Sequence, residues 1–393
     1  MRETPAPGFW ACLVREWPEL RRPAEQVALF WLPLAMLVMV WAIFSRGVAQ
    51  DLPVAVIDAD HTALSRQFVR AIDATAGLRV AARPESLEAA WSALRRGDVY
   101  AVALVPRDYA RDLKRGRAAD VPAWYNAQFL PVANVLSREL QTAAAGFNAT
   151  LDARAHLARG ESRRIATVRL NPITTQRTTL FNPQLNYGPF LVTGLGAAIL
   201  HMAAMLAAVR AVGRELRAGT LPAWLASAGG GRGRALAGKL AVPFLVHVAL
   251  AAAMLIGWHG VLGWPMRGSG LLLVAGLVAL LAAYYALGAA LVLLIANYRM
   301  ATSVAAFLTA PAIAFGGVTF PLESMPGPAW AWGRLLPLTS YLQLQIEQAS
   351  RGAPIASSLP RLAALLAAAL AGAVVACVLV RRRAGQPESW GRT

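Results

Sequence analysis

Apolar residues gather in stretches that are spaced very unevenly along the chain. A helix needs about 20 mostly apolar residues to cross a bilayer, because backbone amides without partners are costly in hydrocarbon. The pattern predicts six such helices. They are Val27–Phe44, Pro189–Val212, Leu236–Trp258, Gly270–Ala296, Ala301–Phe320 and Leu359–Val380. One stretch precedes a long, more polar segment and five follow it, so the chain reads as an integral membrane protein with a large insert.

The insert, residues 45–188, alternates strand-like and helical patterns. Alternating apolar positions predict strands, and apolar positions three or four apart predict helices. Such alternation is typical of a small α/β domain with some parallel strand pairing. The predicted strands are Leu52–Ile57, Leu78–Ala82, Val99–Val105 and Val121–Tyr125; the predicted helices are Ala63–Ala74, Ser86–Arg96 and a long return helix over Leu130–Leu157.

Arg and Lys on the short loops predict the orientation, since cytoplasmic loops carry an excess of them. With six spans, both termini lie on one side. The loops of that side carry fifteen Arg or Lys residues, and the short loops opposite carry four. We therefore expect both termini in the cytoplasm and the insert outside. The predicted fold class is an α-helical polytopic membrane protein of six transmembrane helices with an inserted α/β extracytoplasmic domain.

Composition agrees with a bilayer as the main solvent. Hydrophobic residues make up 57% of the chain and charged residues 15%, where soluble domains have about 45–50% and about 25%. The net charge of +17 does not indicate nucleic-acid binding, because the basic residues flank spans or alternate with acids. Cys12 and Cys377 both fall on the predicted cytoplasmic side, so no disulfide is expected in the outer domain.

The two ends of the chain complete the predicted organisation. Residues 1–26 form an amphipathic arm suited to the inner membrane interface, although Pro18 weakens it as one helix. The first span, residues 27–44, is longer than the roughly 7–15 apolar residues of a cleaved signal peptide, so we expect an uncleaved anchor. Residues 189–380 hold the other five spans, and residues 381–393 form a cytoplasmic tail.

Candidate chemistry is sparse. The five histidines are scattered without metal-ligand spacing, so no metal site is expected. His201 and His247 lie inside predicted spans; they are either functional or neutral imidazoles that hydrogen-bond across helices. Residues 233–239 match the first seven positions of a phosphate-binding loop, but Leu240 stands where Ser or Thr must reach magnesium. We therefore expect no ATPase site and no enzymatic activity in this chain.

Several motifs occur in one order along the derived topology. They are Leu180-Phe-Asn-Pro183 before the second span, Arg214-Glu-Leu-Arg-Ala-Gly-Thr-Leu221 after it, Gly238-Lys239 at the third, and Phe320-Pro-Leu-Glu-Ser-Met-Pro326 followed by Leu336-Pro-Leu-Thr-Ser-Tyr341. The ordered set resembles the permease subunit of ABC-2 type exporters. Segments 56–65 and 97–106 of the insert also resemble the bacterial subgroup with a large periplasmic domain after the first helix.

The resemblance implies a coupling element in the loop 213–235. In the family, a coupling helix here docks on a separate ATPase; residues 214–227 would form it, with a turn or cap at Gly219-Thr220 and with Arg214 and Glu215 able to pair with the partner. An ordinary basic loop is the alternative. The implied coupling residues are Arg214, Glu215, Arg217, Gly219, Thr220 and Leu221. Arg217 and Pro222 replace two acidic residues of the family pattern, which points to a degenerate half of a heterodimer or to an ATPase with altered charges.

The region 320–358 is too rich in proline for a simple hairpin loop. Its apolar and aromatic pieces predict either short helices that re-enter the outer leaflet at the exit of a pathway or interfacial anchors such as Trp330 and Trp332. In the family, re-entrant elements lie there. The candidate exit residues are Phe320, Pro321, Met325, Pro326, Pro337 and Tyr341.

The resemblance also implies a function. A permease of this kind forms a homodimer or pairs with a sister permease in the bacterial inner membrane, and it exports a hydrophobic or amphipathic compound such as a drug or lipid. A separate ABC ATPase uses ATP and magnesium, this chain binds no cofactor, and a periplasmic adaptor and an outer-membrane channel accompany the subgroup. A membrane-anchored receptor or scaffold remains the alternative. A polytopic enzyme would need convergent acids or nucleophiles in the spans, and the sequence offers none.

Overall fold

A computed structural model describes residues 6–45, 47, 49–115, 117–128, 130–159, 180–182 and 186–391. The first five residues of the predicted arm, the last two of the tail, Pro183 of the first motif and residues 160–179 of the insert lie outside that set. The chain forms two compact units. We call Val48–Thr178 the α/β unit, and Met1–Gly47 with Thr179–Thr393 the helical unit.

The α/β unit is built on a four-stranded sheet of order β2-β1-β3-β4. Strand β1 is parallel to β2 and to β3, and β4 is antiparallel to β3. The strands are β1 Leu52–Asp58, β2 Leu78–Ala82, β3 Ala101–Val105 and β4 Ala123–Tyr125; the helices are α3 Ala63–Asp73, α4 Leu87–Arg96, α5 Tyr109–Lys114 and α6 Leu130–Arg159. The predicted strands and helices are confirmed, and α5 is an addition. Helices α3 and α4 are the crossovers that parallel pairing requires.

Both faces of this sheet are covered, which explains why β1 and β3 are almost continuously apolar. On one face, Val54 and Val56 pack with Phe68 of α3 and Leu136 of α6. On the other face, a smaller cluster contains Ala55, Ile57 and Val102 of the strands and Ala90 of α4. Helix α3 begins with a reciprocal capping box between Thr62 and Ser65, which satisfies backbone amides of its first turn.

Within the described residues, the helical unit has five helices that are long and apolar enough to cross a membrane. They are α2 Pro23–Ile43, α7 Gly188–Ala218, α9 Arg232–Val261, α10 Gly270–Ile295 and α14 Ile355–Ala384. Shorter helices accompany them: α1 Phe9–Leu20, α8 Leu221–Ser227, α11 Tyr298–Thr309, α12 Gly327–Leu335 and α13 Pro337–Gln345, which continues as a π-helical segment Ile346–Arg351. Five of the six predicted spans are thereby confirmed as helices of sufficient length.

Helix α10 lies at the centre of the helical unit and is the most buried of the long helices. Two glycines allow its neighbours to approach closely. A Cβ atom on Gly288 of α10 would lie 2.5 Å from the carbonyl oxygen of Met205 in α7, and one on Gly372 of α14 would lie 3.0 Å from the Cβ of Ala286. Small residues at such contacts let membrane helices pack through van der Waals contact without a hydrophobic driving force.

The fifth predicted span, Ala301–Phe320, is not a continuous helix. Helix α11 has 12 residues, and turns follow it through residues 310–320. Twelve residues extend about 18 Å, well short of a hydrocarbon core of about 30 Å. Pro311 lacks the amide that would extend the helix, and Gly317 adopts a left-handed conformation at φ 74°. The chain therefore turns where the hydrophobic pattern predicts a full span.

Candidate functional site

The segment that joins α7 to α9 consists of two helical pieces rather than one. Helix α7 runs through Ala218 and ends at Gly219, whose φ of 67° is the left-handed conformation that favours glycine at a helix end. Helix α8 then covers Leu221–Ser227. The predicted turn at Gly219-Thr220 is confirmed. The predicted single helix over 214–227 is corrected, because its first five residues are the last turns of α7.

Helix α8 has a buried and an exposed face. Leu221 and Trp224 are fully buried, whereas Pro222, Ala223 and Ala226 are exposed. The exposed face therefore carries only small side chains, and another protein could approach its backbone closely. Beside it, the exposed Arg217 at the end of α7 lies with its guanidinium 5.2 Å from the ring centroid of Tyr298.

The N-terminal arm packs on this segment. Helix α1 continues past Pro18 to Leu20. The proline therefore does not end the helix, although the sequence predicts that it weakens one. It contacts α9 at Gly238, where a Cβ atom would lie 2.6 Å from the Cβ of Cys12 and 2.7 Å from the carbonyl oxygen of Phe9. The amide of Gly8 also donates a hydrogen bond of 2.8 Å to the carbonyl of Ser227 at the end of α8.

A buried lysine joins the arm, α7 and α9. The Lys239 side chain is only 1% exposed, and its ammonium donates to the carboxylates of Glu16 in α1 and Glu215 in α7, the latter at 2.8 Å. The second oxygen of Glu215 accepts hydrogen bonds from Arg15 at 2.9 Å and from Thr220 at 2.5 Å. Because Thr220 precedes α8 directly, this network also fixes the start of α8.

Arg214 extends the network toward α2. Its guanidinium lies 3.0 Å from a carboxylate oxygen of Glu16, 3.6 Å from one of Glu19 and 3.3 Å from one of Glu25. Arg210, one turn earlier in α7, lies 3.8 Å from Glu25. We call the whole network the ion cluster. Its members are Arg15, Glu16, Glu19, Glu25, Arg210, Arg214, Glu215 and Lys239.

The structure thus gives Arg214 and Glu215 partners inside the chain. Their predicted pairing with a separate ATPase stays a prediction, and the exposed face of α8 is the surface that is free to contact a partner. Sequence reasoning missed Glu16 and Lys239. Lys239 belongs to the loop-like run and to the Gly238-Lys239 motif, but neither pattern predicts its pairing; the available signal is a lysine at the start of an apolar helix, which is costly unless it is paired.

A cavity of about 300 Å³ lies between α2, α7 and α11. Most of its lining is apolar, for example Met36 of α2, Ile199 of α7 and the turn residue Ile313. One end of the cavity reaches Arg210 and Arg214, so it begins beside the ion cluster. We call it the apolar cavity.

The two intramembrane histidines differ in their surroundings. His247 of α9 hydrogen-bonds the carbonyl of Leu29 in α2 at 3.0 Å and the hydroxyl of Tyr285 in α10 at 2.9 Å. The interpretation of His247 as a hydrogen-bonded link across helices is confirmed. His201 is fully buried, and its ring meets the ring of Tyr284 edge-on, with 4.6 Å between centroids.

The candidate exit residues lie on two elements, a turn and a short helix. Phe320 is 51% exposed, and Pro321, Met325 and Pro326 flank a single 3₁₀ turn. Pro337 begins α13, where Tyr341 is completely buried. The predicted short helices of this region exist as α12 and α13, and Trp330 and Trp332 are exposed on α12. Re-entry into a membrane leaflet stays a prediction.

Long apolar helices packed around α10 define a multi-pass membrane protein. The sequence profile of the ABC-2 family transporter protein matches residues 26–378, which is most of the chain. The chain belongs to this family, and the predicted resemblance to an ABC-2 permease is confirmed. A comparison with curated proteins gives no match. Membership implies a permease subunit that works with an ABC ATPase.

Proposed function

We propose that this chain is the permease half of an ATP-driven exporter that moves a hydrophobic or amphipathic compound out of the cytoplasm or the inner membrane. A separate ATPase binds ATP and magnesium and hydrolyses the nucleotide, and this chain contributes no catalytic site or cofactor. Two permeases, identical or sister chains, form the transport unit. Both termini are cytoplasmic in a bacterial inner membrane, as the Arg distribution favours.

The ion cluster is the observation that carries this proposal. It links four elements, α1, α2, α7 and α9, at the point where α7 ends and α8 begins. Lys239 also lies 5.3 Å from the ring centroid of Trp224 in α8. Removing one partner from a buried ion pair costs about 3–5 kcal/mol, so such a cluster resists separation of the elements that it joins. A force on α8 would therefore move α7 and α9 together.

The apolar cavity supports the substrate class. Its volume of about 300 Å³ is at the lower end of the range of small-molecule sites, and its walls are mostly aliphatic. Helices α2 and α7 form much of its lining, and α7 leads directly into α8. Movement of α7 would change the shape of the cavity. ATP hydrolysis by the partner would thereby act on a compound that is bound in the cavity.

The remaining parts follow the sequence predictions. Helix α11 and the turns that follow it together make the sixth crossing, which keeps both termini on one side, although no single helix spans the membrane there. The α/β unit lies in the periplasm, where its sheet edges and helices offer surface to an adaptor that leads to an outer-membrane channel. The short helices α12 and α13 lie near the outer leaflet.

Co-purification with the ATPase tests the coupling assignment. Ala223→Arg with Ala226→Arg places two large charged groups on the exposed face of α8, and neither side chain is needed for packing. We expect the pair to abolish co-purification and compound-stimulated ATP hydrolysis. Ala145→Arg with Ala149→Arg, at two exposed alanines of α6, is the matched control and should retain both. Unchanged co-purification of the double variant would show that α8 is not the docking element.

A further inference from the structure

A second cavity, of about 290 Å³, lies beyond the apolar cavity along α7 and the turns that follow α11. Leu195 of α7 and Ile313 line the apolar cavity, and Gly194 and Gly317 line the second one. Thr193, also in the second cavity, is 21 residues from Arg214, or about 31 Å along α7. The two cavities therefore follow one another from the ion cluster to the opposite end of the bundle.

The second cavity contains a buried amide that the first lacks. Gln345, at the end of α13, lines it, is 5% exposed, and its Oε1 has no hydrogen-bond partner among the described residues. An unpaired buried polar group costs about 1–3 kcal/mol. The terminal amide torsion of glutamine is broad, so this group can turn toward an occupant of the cavity. A group this costly to leave unpaired in an apolar bundle calls for a partner that the described part of the chain does not supply.

Two neighbouring residues add polar capacity. The hydroxyl of Thr193 donates to the carbonyl of Pro189 at 3.1 Å, and its oxygen keeps lone pairs that can accept. The exposed Arg351, in the π-helical segment after α13, also lines the cavity and supplies N–H donors. Asn182 and Ser350 also line the cavity, and the rest of its wall is apolar, for example Phe190, Val318 and Leu342.

We propose that the second cavity binds the hydroxyl-bearing end of an amphipathic compound, with Gln345 as its main hydrogen-bonding partner. A hydroxyl is both donor and acceptor, so it pairs with either face of the amide. The proposal rests on the proposed function in one respect only: it takes the bound compound to be the one that is exported. It narrows the substrate class from a hydrophobic or amphipathic compound to an amphiphile with an apolar body and a hydroxylated end.

Photolabelling of the permease alone, in nanodiscs of synthetic phosphatidylcholine, tests the site. The probe is dodecyl β-glucoside with a diazirine on the alkyl carbon next to the sugar, and its matched control is the same compound with all sugar hydroxyls methylated. We expect the hydroxylated probe to label peptides that contain Val318 or Leu342. The methylated probe should label them about 2- to 12-fold less, as the loss of one hydrogen bond predicts.

Gln345→Met keeps the side-chain volume and removes the amide, so it should lower labelling by the hydroxylated probe over the same range. Gln141→Met, at an exposed glutamine of α6, makes the same change away from the cavity and should leave labelling unchanged. Equal labelling by the two probes in the wild-type protein overturns the proposal, and so does the absence of labelling at these peptides. The assay contains no ATPase, so a failure of transport or coupling leaves its result unaffected.

Discussion

Replacing Lys239 by methionine tests the ion cluster directly. The change keeps an unbranched side chain of similar length and removes a charge that is 1% exposed and bonded to two carboxylates. Glu16 and Glu215 would then each lose a cationic partner in a buried setting. Loss of one partner of a buried ion pair costs about 3–5 kcal/mol, which corresponds to about 6–20 °C in melting temperature at about 2–4 °C per kcal/mol.

The assay is thermal unfolding of the detergent-purified protein, followed by the loss of the monodisperse peak in size-exclusion chromatography. Lys114 is the other lysine of the chain and lies exposed in α5, so Lys114→Met is a matched control with an expected change within about 0.5 kcal/mol. Adding Glu215→Gln to Lys239→Met removes a buried carboxylate that keeps Arg15 as its cationic partner but has lost Lys239, and it should return part of the loss. A Lys239→Met protein that unfolds within 2 °C (about 1 kcal/mol or less) of the wild type would refute the reasoning.

Three further predictions concern close contacts and one buried hydroxyl. Gly238→Val should displace α1 and expose the buried Cys12, so that Cys12 reacts with a maleimide. Peptide mass spectrometry measures the labelled fraction, and an unreactive Cys12 would contradict the close contact between α1 and α9. Gly288→Val should destabilise by about 1–3 kcal/mol in the same unfolding assay, whereas Gly257→Val, which meets open space, should be near neutral. Burial and a nearby carboxylate raise the pKa of Tyr109 to about 12, so folding favours its neutral form and stability falls as pH rises from 10 toward 12. Tyr109→Phe should therefore lose less melting temperature than the wild type between pH 10 and pH 12. Equal losses in the two proteins would contradict the raised pKa of Tyr109.

Local patterns predict most of the elements because their causes are local. The strands β1 and β3 and helix α3 are recognisable from the spacing of their apolar residues. The end of α7 is recognisable from Gly219, since only a residue tolerant of left-handed φ closes a helix in this way. Five spans follow from length and hydropathy alone.

The ion cluster could not be predicted, because its contacts join distant positions. Lys239 and Glu16 are 223 residues apart, and the sequence around either residue does not indicate that the other is its partner. The same limit applies to the two cavities, which depend on how α7 lies against residues 309–318. The prediction of a continuous fifth span was wrong for a local reason. Pro311 and Gly317 interrupt a stretch whose mean hydropathy alone favours a continuous helix.

ATP-dependent uptake of a fluorescent hydrophobic dye by inside-out vesicles tests the central claim most directly. The vesicles contain this permease and its ATPase, and uptake into them reports movement away from the cytoplasmic face. We predict uptake that requires ATP and the permease. Uptake should persist in the control Ala145→Arg with Ala149→Arg and be lost in Ala223→Arg with Ala226→Arg. Full uptake by that double variant, or no ATP-dependent uptake by the wild-type complex, would contradict export driven through α8.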